Sequence, residues 1–192
     1  MSYQTYTTEA IICGTFNRNT ADRSYLLFTR EAGMLYAEAR SVREERSRQR
    51  MALQDFSYVR VSLIKGKSSW KIGSIEPRTN FFMDSVDKTA RGSVVSLTKF
   101  LRRFYGGQEA APILFDYLRE ALDMLSGDVL VRTEIEAVIQ TRMLYELGYV
   151  DAKVLPPFVL GDVASLQTNV LETSTLTPLI PIIEKAVSLS QL

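Results

Sequence analysis

Apolar and polar residues alternate along the first third of the chain and then recur every three to four residues. Thr7 to Phe16, rich in Thr, Ile and Phe, predicts a strand, and Asn17 to Asp22 is polar turn chemistry. Tyr25 to Thr29 predicts a second strand. Glu31-Ala32-Gly33 turns it into Met34 to Ala39, a hairpin. Phe56 to Lys65 alternates clearly, with Tyr58, Arg60 and Ser62 on one face and Val59, Val61 and Leu63 on the other. Lys65 to Ser69 is a short glycine-containing turn, and Trp70 to Ile75 predicts the returning strand. Five short strands with no helical period among them fit a small closed barrel better than a sandwich.

After Pro77 the period changes. Val94, Leu97, Leu101 and Phe104 lie on one side of a predicted helix, with Lys99, Arg102 and Arg103 on the other, and Gly106-Gly107 ends it. Leu114, Leu118, Ala121, Leu122 and Leu125 mark a second helix. Ile135, Val138, Ile139, Met143 and Leu147 mark a third, with Gly148 placed as its C′ glycine. These stripes read as core rather than binding grooves, because helices in a small bundle must bury such a face. Residues 151–176 are poorly patterned, and a last short helix is expected from Leu179 to Leu189. The expectation is an α+β chain, all-β then all-α, with domains at 1–78 and 79–192.

At 192 residues and 46% apolar content the chain can bury a real core. No apolar run reaches membrane-spanning length, and the start, Ser2-Tyr3-Gln4-Thr5, is not a signal peptide, which predicts a cytoplasmic protein. The single cysteine, Cys13, excludes an intrachain disulfide or multi-cysteine zinc site and reads as a small buried hydrophobe. The net charge of +1 hides an asymmetry: residues 1–78 carry thirteen Lys/Arg against eight Asp/Glu, and residues 79–192 carry ten against fourteen. A basic half that meets an anion, joined to an acidic half with another task, is the simplest reading.

The basic excess concentrates between the third and fourth strands. Arg40, Arg43, Arg46, Arg48 and Arg50 fall within eleven residues, against Glu44 and Glu45. Such a loop on a β-scaffold either presents charge to a phosphate backbone or is simply solvated. Enzyme chemistry finds little support. With no histidine there is no Ser-His-Asp or Cys-His arrangement and no histidine-ligated metal; no metal or other cofactor is expected. Gly66-Lys67-Ser68 matches the tail of a P-loop, but Val61 stands where that motif requires glycine. Glu134 and Glu136 read as solvated surface rather than an acid/base pair.

A collinear set of segments resembles the RecO family of bacterial recombination mediators. Thr8-Glu9-Ala10-Ile11-Ile12 resembles its first strand, and Asp22-Arg23 with Leu26 to Gly33 resembles its second strand and following turn. Ala39 to Arg43 and Arg46-Ser47-Arg48, leading to Leu53-Gln54-Asp55-Phe56, are similar to its basic loop and the entry to the next strand. Leu101 to Phe104, Leu114 to Leu118 with Ala121-Leu122, and Met143 to Tyr149 are similar to its helices. The likeness spans about residues 7–150. There are departures. Asp55 replaces the family's usual proline, Glu38, Glu44 and Glu45 dilute the basic stretch, and the four-cysteine zinc module is absent. The chain also stops early relative to the family, so a reduced last helical portion is expected.

The resemblance implies an N-terminal OB-fold and a C-terminal helical domain. It implies binding of single- and double-stranded DNA, annealing of complementary strands, and partnership with RecR and single-stranded DNA-binding protein so that RecA loads onto coated strands, in the bacterial cytoplasm at the nucleoid. An OB barrel holds single strands through a cationic groove and aromatic faces. The candidates are Arg40, Arg43, Arg46, Arg48 and Arg50, with Arg60, Lys65, Lys67 and Lys71 on the neighbouring hairpin. Tyr36, Tyr58 and Trp70 are possible stacking platforms; core packing is favoured for Trp70, and for Tyr58 both roles stand. Lys99, Arg102 and Arg103 are the nearest cluster for a partner's acidic tail on the helical half. The rival reading is an OB-fold protein scaffold with weak or no DNA binding.

Overall fold

A computed structural model of the chain describes residues 5–44, 47, 49–67, 69–168 and 176–190. Five strands, β1 (Thr5–Asn17), β2 (Arg23–Thr29), β3 (Gly33–Ala39), β4 (Ser57–Lys65) and β5 (Trp70–Asn80), close into a barrel in the order β1-β2-β3-β5-β4. All pairings are antiparallel except β3 with β5, which is parallel through Ala37↔Trp70 and Glu38↔Lys71. This is the OB-like arrangement that closes a small sheet without leaving an edge. Alternation explains the core. Ala10, Ile12, Tyr25, Leu27, Ala37, Val59, Val61 and Leu63 point inward, and the alanines give room for the large residues of the facing strands.

Two strand ends lie beyond the pattern. β1 extends to thirteen residues and carries a register shift between Ile12 and Gly14, where Cys13 is buried. β5 continues through Pro77 to Asn80 instead of stopping at Ile75. Pro77 pairs with Val59 beside the register shift between Tyr58 and Val59, a bulge where a missing N–H is tolerated. Between β3 and β4 a single helical turn, α1 (Gln49–Ala52), follows the basic loop, and Gln49 Nε2 donates to Gly73 O at 2.8 Å. No helical period marks so short a segment.

The helices are α2 (Lys88–Phe104), α3 (Pro112–Ser126), α4 (Arg132–Glu146) and α5 (Leu176–Leu189). The chain separates into two compact units, Met1–Asp84 with Gly106–Phe115, and Ser85–Tyr105 with Asp116–Leu192. The excursion belongs with the barrel because Met34 N–H donates to Gly107 O at 2.8 Å and Phe115 packs 5.3 Å from Phe28. In the second unit the apolar stripes are buried as expected: Val94, Leu97 and Leu101 of α2, and Ile135, Val138, Ile139 and Met143 of α4. α2 begins six residues before Val94, capped by Asp87, whose side chain accepts from Ala90 N–H at 2.7 Å. Gly148, at φ +78°, closes α4 with its N–H on Tyr145 O and the Tyr149 N–H on Leu144 O, the Schellman pairing. The poorly patterned stretch forms three 3₁₀ turns, Ala152–Val154, Pro157–Leu160 and Val163–Ser165, which bury Val159 and Val163; 169–175 lie outside the described residues. Among the described residues no helix is long and apolar enough to cross a membrane, and no cluster of three or more His, Cys, Asp or Glu is suited to a metal ion.

Candidate nucleic-acid interface

The β4–β5 turn is built around Gly66. Its N–H donates to Ser69 O at 2.9 Å, and a Cβ there would meet that same oxygen at 2.7 Å, so only glycine fits without a shift. The tight turn holds Lys65 and Lys67 exposed on either side of it. Lys71 folds back over the turn, its Cε 3.6 Å from where a Gly66 Cβ would stand. Lys65 Nζ lies 5.8 Å from the centre of the Trp70 ring. Trp70 itself packs partly against the barrel core, as the sequence favours.

Lys65 and Lys67 share a groove of about 330 Å³ with Tyr36, Trp70 and Gln108, and Lys71 adjoins it at the turn. Tyr36 points outward from β3 and is 57% exposed; Phe16, at the end of β1, is 38% exposed, and the two rings sit 5.8 Å apart. Two exposed aromatics beside three lysines therefore occupy one side of the barrel, on the β1–β3 face and the β4–β5 turn, where OB barrels take oligonucleotides. Pattern reasoning misses Phe16. Strict alternation from the inward Ala10 and Ile12 would turn Phe16 inward as well; the register shift between Ile12 and Gly14 reverses the parity and turns it out, a change that no local pattern signals.

The β1–β2 turn joins the start of the basic loop. Asn19 Oδ1 accepts from the N–H groups of Ala21 and Asp22 at 2.9 and 2.6 Å, and its Nδ2 donates to Asp22 at 2.9 Å. Asp22 Oδ1 accepts from Ser41 N–H at 2.8 Å, and Arg43 donates to Asn19 O at 2.9 Å while its own N–H reaches Ala21 O. The Asn19 hydrogen bond, then that of Ser41, lowers the Asp22 carboxyl pKa, with smaller help from Arg40 and Arg18. The loop is thus anchored at its entry, where Arg40 and Arg43 are exposed. Arg50 is exposed on α1. Arg46 and Arg48, with Glu45, lie outside the described residues. Glu38 pairs with Arg18 rather than with the loop, and no ion pair involves Glu44 among the described residues.

Other candidates stand elsewhere. Arg60 is exposed in mid-strand but faces Glu9 on β1 and Glu76 on β5, carboxylates that offset its charge. Tyr58 is half-buried, packs against Phe81 and Phe115 at 6.3 and 6.4 Å, and donates its hydroxyl to Glu9 at 2.6 Å, so its ring is engaged within the unit. In the helical unit Lys99 and Arg102 are exposed on α2. Arg103 instead donates to Ser190 Oγ and Val187 O, each at 2.6 Å, satisfying the carbonyl end of α5.

Residues 1–81 match the family model described as Recombination protein O N terminal. The chain is 37% identical over 76 residues to the DNA repair protein RecO of Desulfitobacterium hafniense, covering 40% of this chain and 28% of that protein. It is 29% identical over 147 residues to the DNA repair protein RecO of Heliobacterium modesticaldum, covering 75% of this chain and 52% of that one. A stretch of 71 residues is 37% identical to the RecO of Symbiobacterium thermophilum, covering 37% of this chain and 28% of the relative. The chain thus aligns with about half, or less, of the length of these relatives.

Proposed function

We propose that this chain, a member of the RecO family through its N-terminal domain, serves DNA repair and recombination by binding single- and double-stranded DNA and annealing complementary strands. The observation that carries the reading is the convergence of Lys65, Lys67 and Lys71 with Tyr36 and Phe16 on one side of the barrel. Lysines neutralise phosphates and release counterions; aromatic rings supply stacking worth ~1–3 kcal/mol per base. Annealing then needs no catalytic residue. Charge neutralisation lowers the repulsion between two strands, and base pairing drives the rest. Arg40, Arg43 and Arg50 extend the cationic surface, and Arg46 and Arg48 belong to the same loop in sequence.

In this reading the barrel domain, residues 1–78, takes the nucleic acid. The helical domain, residues 79–192, takes protein partners, with RecR and single-stranded DNA-binding protein the expected ones, so that RecA loads onto coated strands in the bacterial cytoplasm. The acidic neighbours of Arg60 favour the scaffold alternative, in which DNA contact is weak. One experiment separates the two. Labelled complementary oligonucleotides are annealed by the wild-type chain, and binding is titrated from about 50 to 200 mM salt. The same is done for a Lys65→Ala/Lys67→Ala variant and for one with Arg43, Arg46, Arg48 and Arg50 changed to alanine. Annealing that falls with salt and collapses in the variants supports the DNA reading; a wild-type chain that neither binds nor anneals at low salt leaves the scaffold.

A further inference from the structure

At the end of the barrel where β1 finishes and β2 and β4 begin lies an open pocket of about 560 Å³, which shares Arg50 with the cationic surface. That volume is within the ~300–1,000 Å³ usual for small-ligand sites. Arg23 and Arg50 both line it, and neither has an ion-pair partner among the described residues. Arg23 lies against the hydroxyl of Tyr25, a core residue that is 0% exposed: burial raises the Tyr25 pKa, and the charge of the guanidinium and its side-chain hydrogen bonding to the hydroxyl oppose that rise. One side of the Arg23 guanidinium is thus held against the core. Two lining arginines with no carboxylate paired to either among the described residues are what point to a ligand.

The rest of the lining says which kind. Asp55 stands beside the arginines. Thr15 Oγ1 donates to its Oδ1 at 2.5 Å, which leaves Oδ2 available among the described contacts. Asn17 and Gln54 add carboxamides with no internal hydrogen bond among the described residues. A simple anion site has no use for a carboxylate; a ligand with a phosphate at one end and hydrogen-bond donors at the other uses both. Phe56 adds an aromatic wall, its ring stacked on Phe82 at 5.4 Å. Its backbone is at φ +69°, a conformation unfavourable for a bulky residue, and is held there by its N–H on Ile12 O at 2.8 Å and its carbonyl accepting from Phe81 N–H at 3.2 Å. Two hydrogen bonds maintain a strained residue on the wall of the pocket.

We propose that this pocket holds one nucleoside monophosphate unit, with the phosphate on Arg23 and Arg50 and the base edge toward Asp55 and Gln54. Guanine is the base that fits best, because its N1–H and N2–H present two adjacent donors to a carboxylate. The unit comes either from the 5′-phosphorylated end of a DNA strand, a source that rests on the nucleic-acid reading, or from a free nucleotide, which does not need it. Calorimetry on the full chain with dGMP, dTMP, deoxyguanosine and inorganic phosphate tests the pocket. The expected result is binding of dGMP in preference to the other three. Arg50→Gln or Arg23→Gln weakens it by about ten- to hundredfold, the loss of one charged hydrogen-bonding group. Asp55→Asn removes the preference for dGMP over dTMP, and Lys65→Ala/Lys67→Ala, which weakens oligonucleotide binding, leaves the dGMP affinity at its wild-type value. If Arg23→Gln melts early, the exposed Arg50→Gln variant carries the test. A second titration compares 5′-phosphorylated with unphosphorylated oligonucleotides. A preference for the phosphorylated strand that Arg50→Gln abolishes identifies the strand end, and dGMP binding without that preference identifies a free nucleotide. Inorganic phosphate binding as tightly as dGMP, or no dGMP binding, overturns the proposal. If oligonucleotide binding that depends on Lys65 and Lys67 persists in that case, the pocket fails while the interface stands.

Discussion

Gly66 sets where Lys65 and Lys67 stand, so the turn should respond to a single methyl group. Gly66→Ala is expected to open the turn, since the new Cβ meets the Ser69 carbonyl at 2.7 Å, and to weaken oligonucleotide binding although no charge is lost. Anisotropy titration at one salt concentration, compared with the Lys65→Ala/Lys67→Ala variant, checks it; affinity equal to wild type would mean that the turn geometry is irrelevant. Tyr36→Ala should cost ~1–3 kcal/mol in single-strand affinity with little loss of folding stability, because the side chain is exposed. Asp22 offers a pH test. Its carboxyl pKa is lowered by the Asn19 and Ser41 hydrogen bonds, so the staple is complete above the ordinary carboxylate range and is lost as pH falls through the folded value. The Ser41 amide resonance should therefore titrate with a midpoint below that of an ordinary aspartate. A midpoint at the usual value would show that the staple does not form.

At the scale of elements, the basic loop is a strand-to-strand connection tied down at both ends. Asp22 and Asn19 anchor its entry, and Gln49 ties α1 to β5 beyond its far end. In the helical unit two end contacts matter in the same way. Asp87 caps the start of α2, and Asp87→Ala should lower stability by ~0.5–2 kcal/mol, seen as an earlier thermal transition with unchanged affinity for DNA. Arg103 satisfies the end of α5 from a different helix. Arg103→Ala should speed amide exchange in the last turn of α5, whereas Lys99→Ala, on the same helix, should not. This contrast separates a cation bonded to a helix end from another of the same cluster, a difference that sequence spacing does not carry.

For the whole molecule, a net charge of +1 gives no long-range pull on nucleic acid, so the proposed binding rests on the local excess on the barrel. The logarithmic salt dependence of single-strand affinity should be shallower by about 0.7 for each phosphate-contacting lysine removed from the β4–β5 hairpin. Removing Arg60 should change it little, because Glu9 and Glu76 flank it.

Read residue by residue, the chain by itself determined the order of strands and then helices, the inward sets of β4 and of α2 and α4, the C′ role of Gly148, and the basic character of the loop. All of these follow from periodicity of two or of three to four, and from local steric demands that a neighbouring stretch of sequence contains. The tertiary structure decided the rest. Tyr58 is packed rather than presented, because Phe115 arrives from more than fifty positions away. Arg60 is offset by carboxylates from two other strands, and Arg103 is committed to the end of α5. Phe16 and Tyr36 meet because β1, β2 and β3 are in register, and Arg23, Arg50 and Asp55 meet because barrel closure brings β1, β2 and β4 to one end. Which side chains share a surface depends on strand register and closure, and these are set by long-range pairing that no local pattern records.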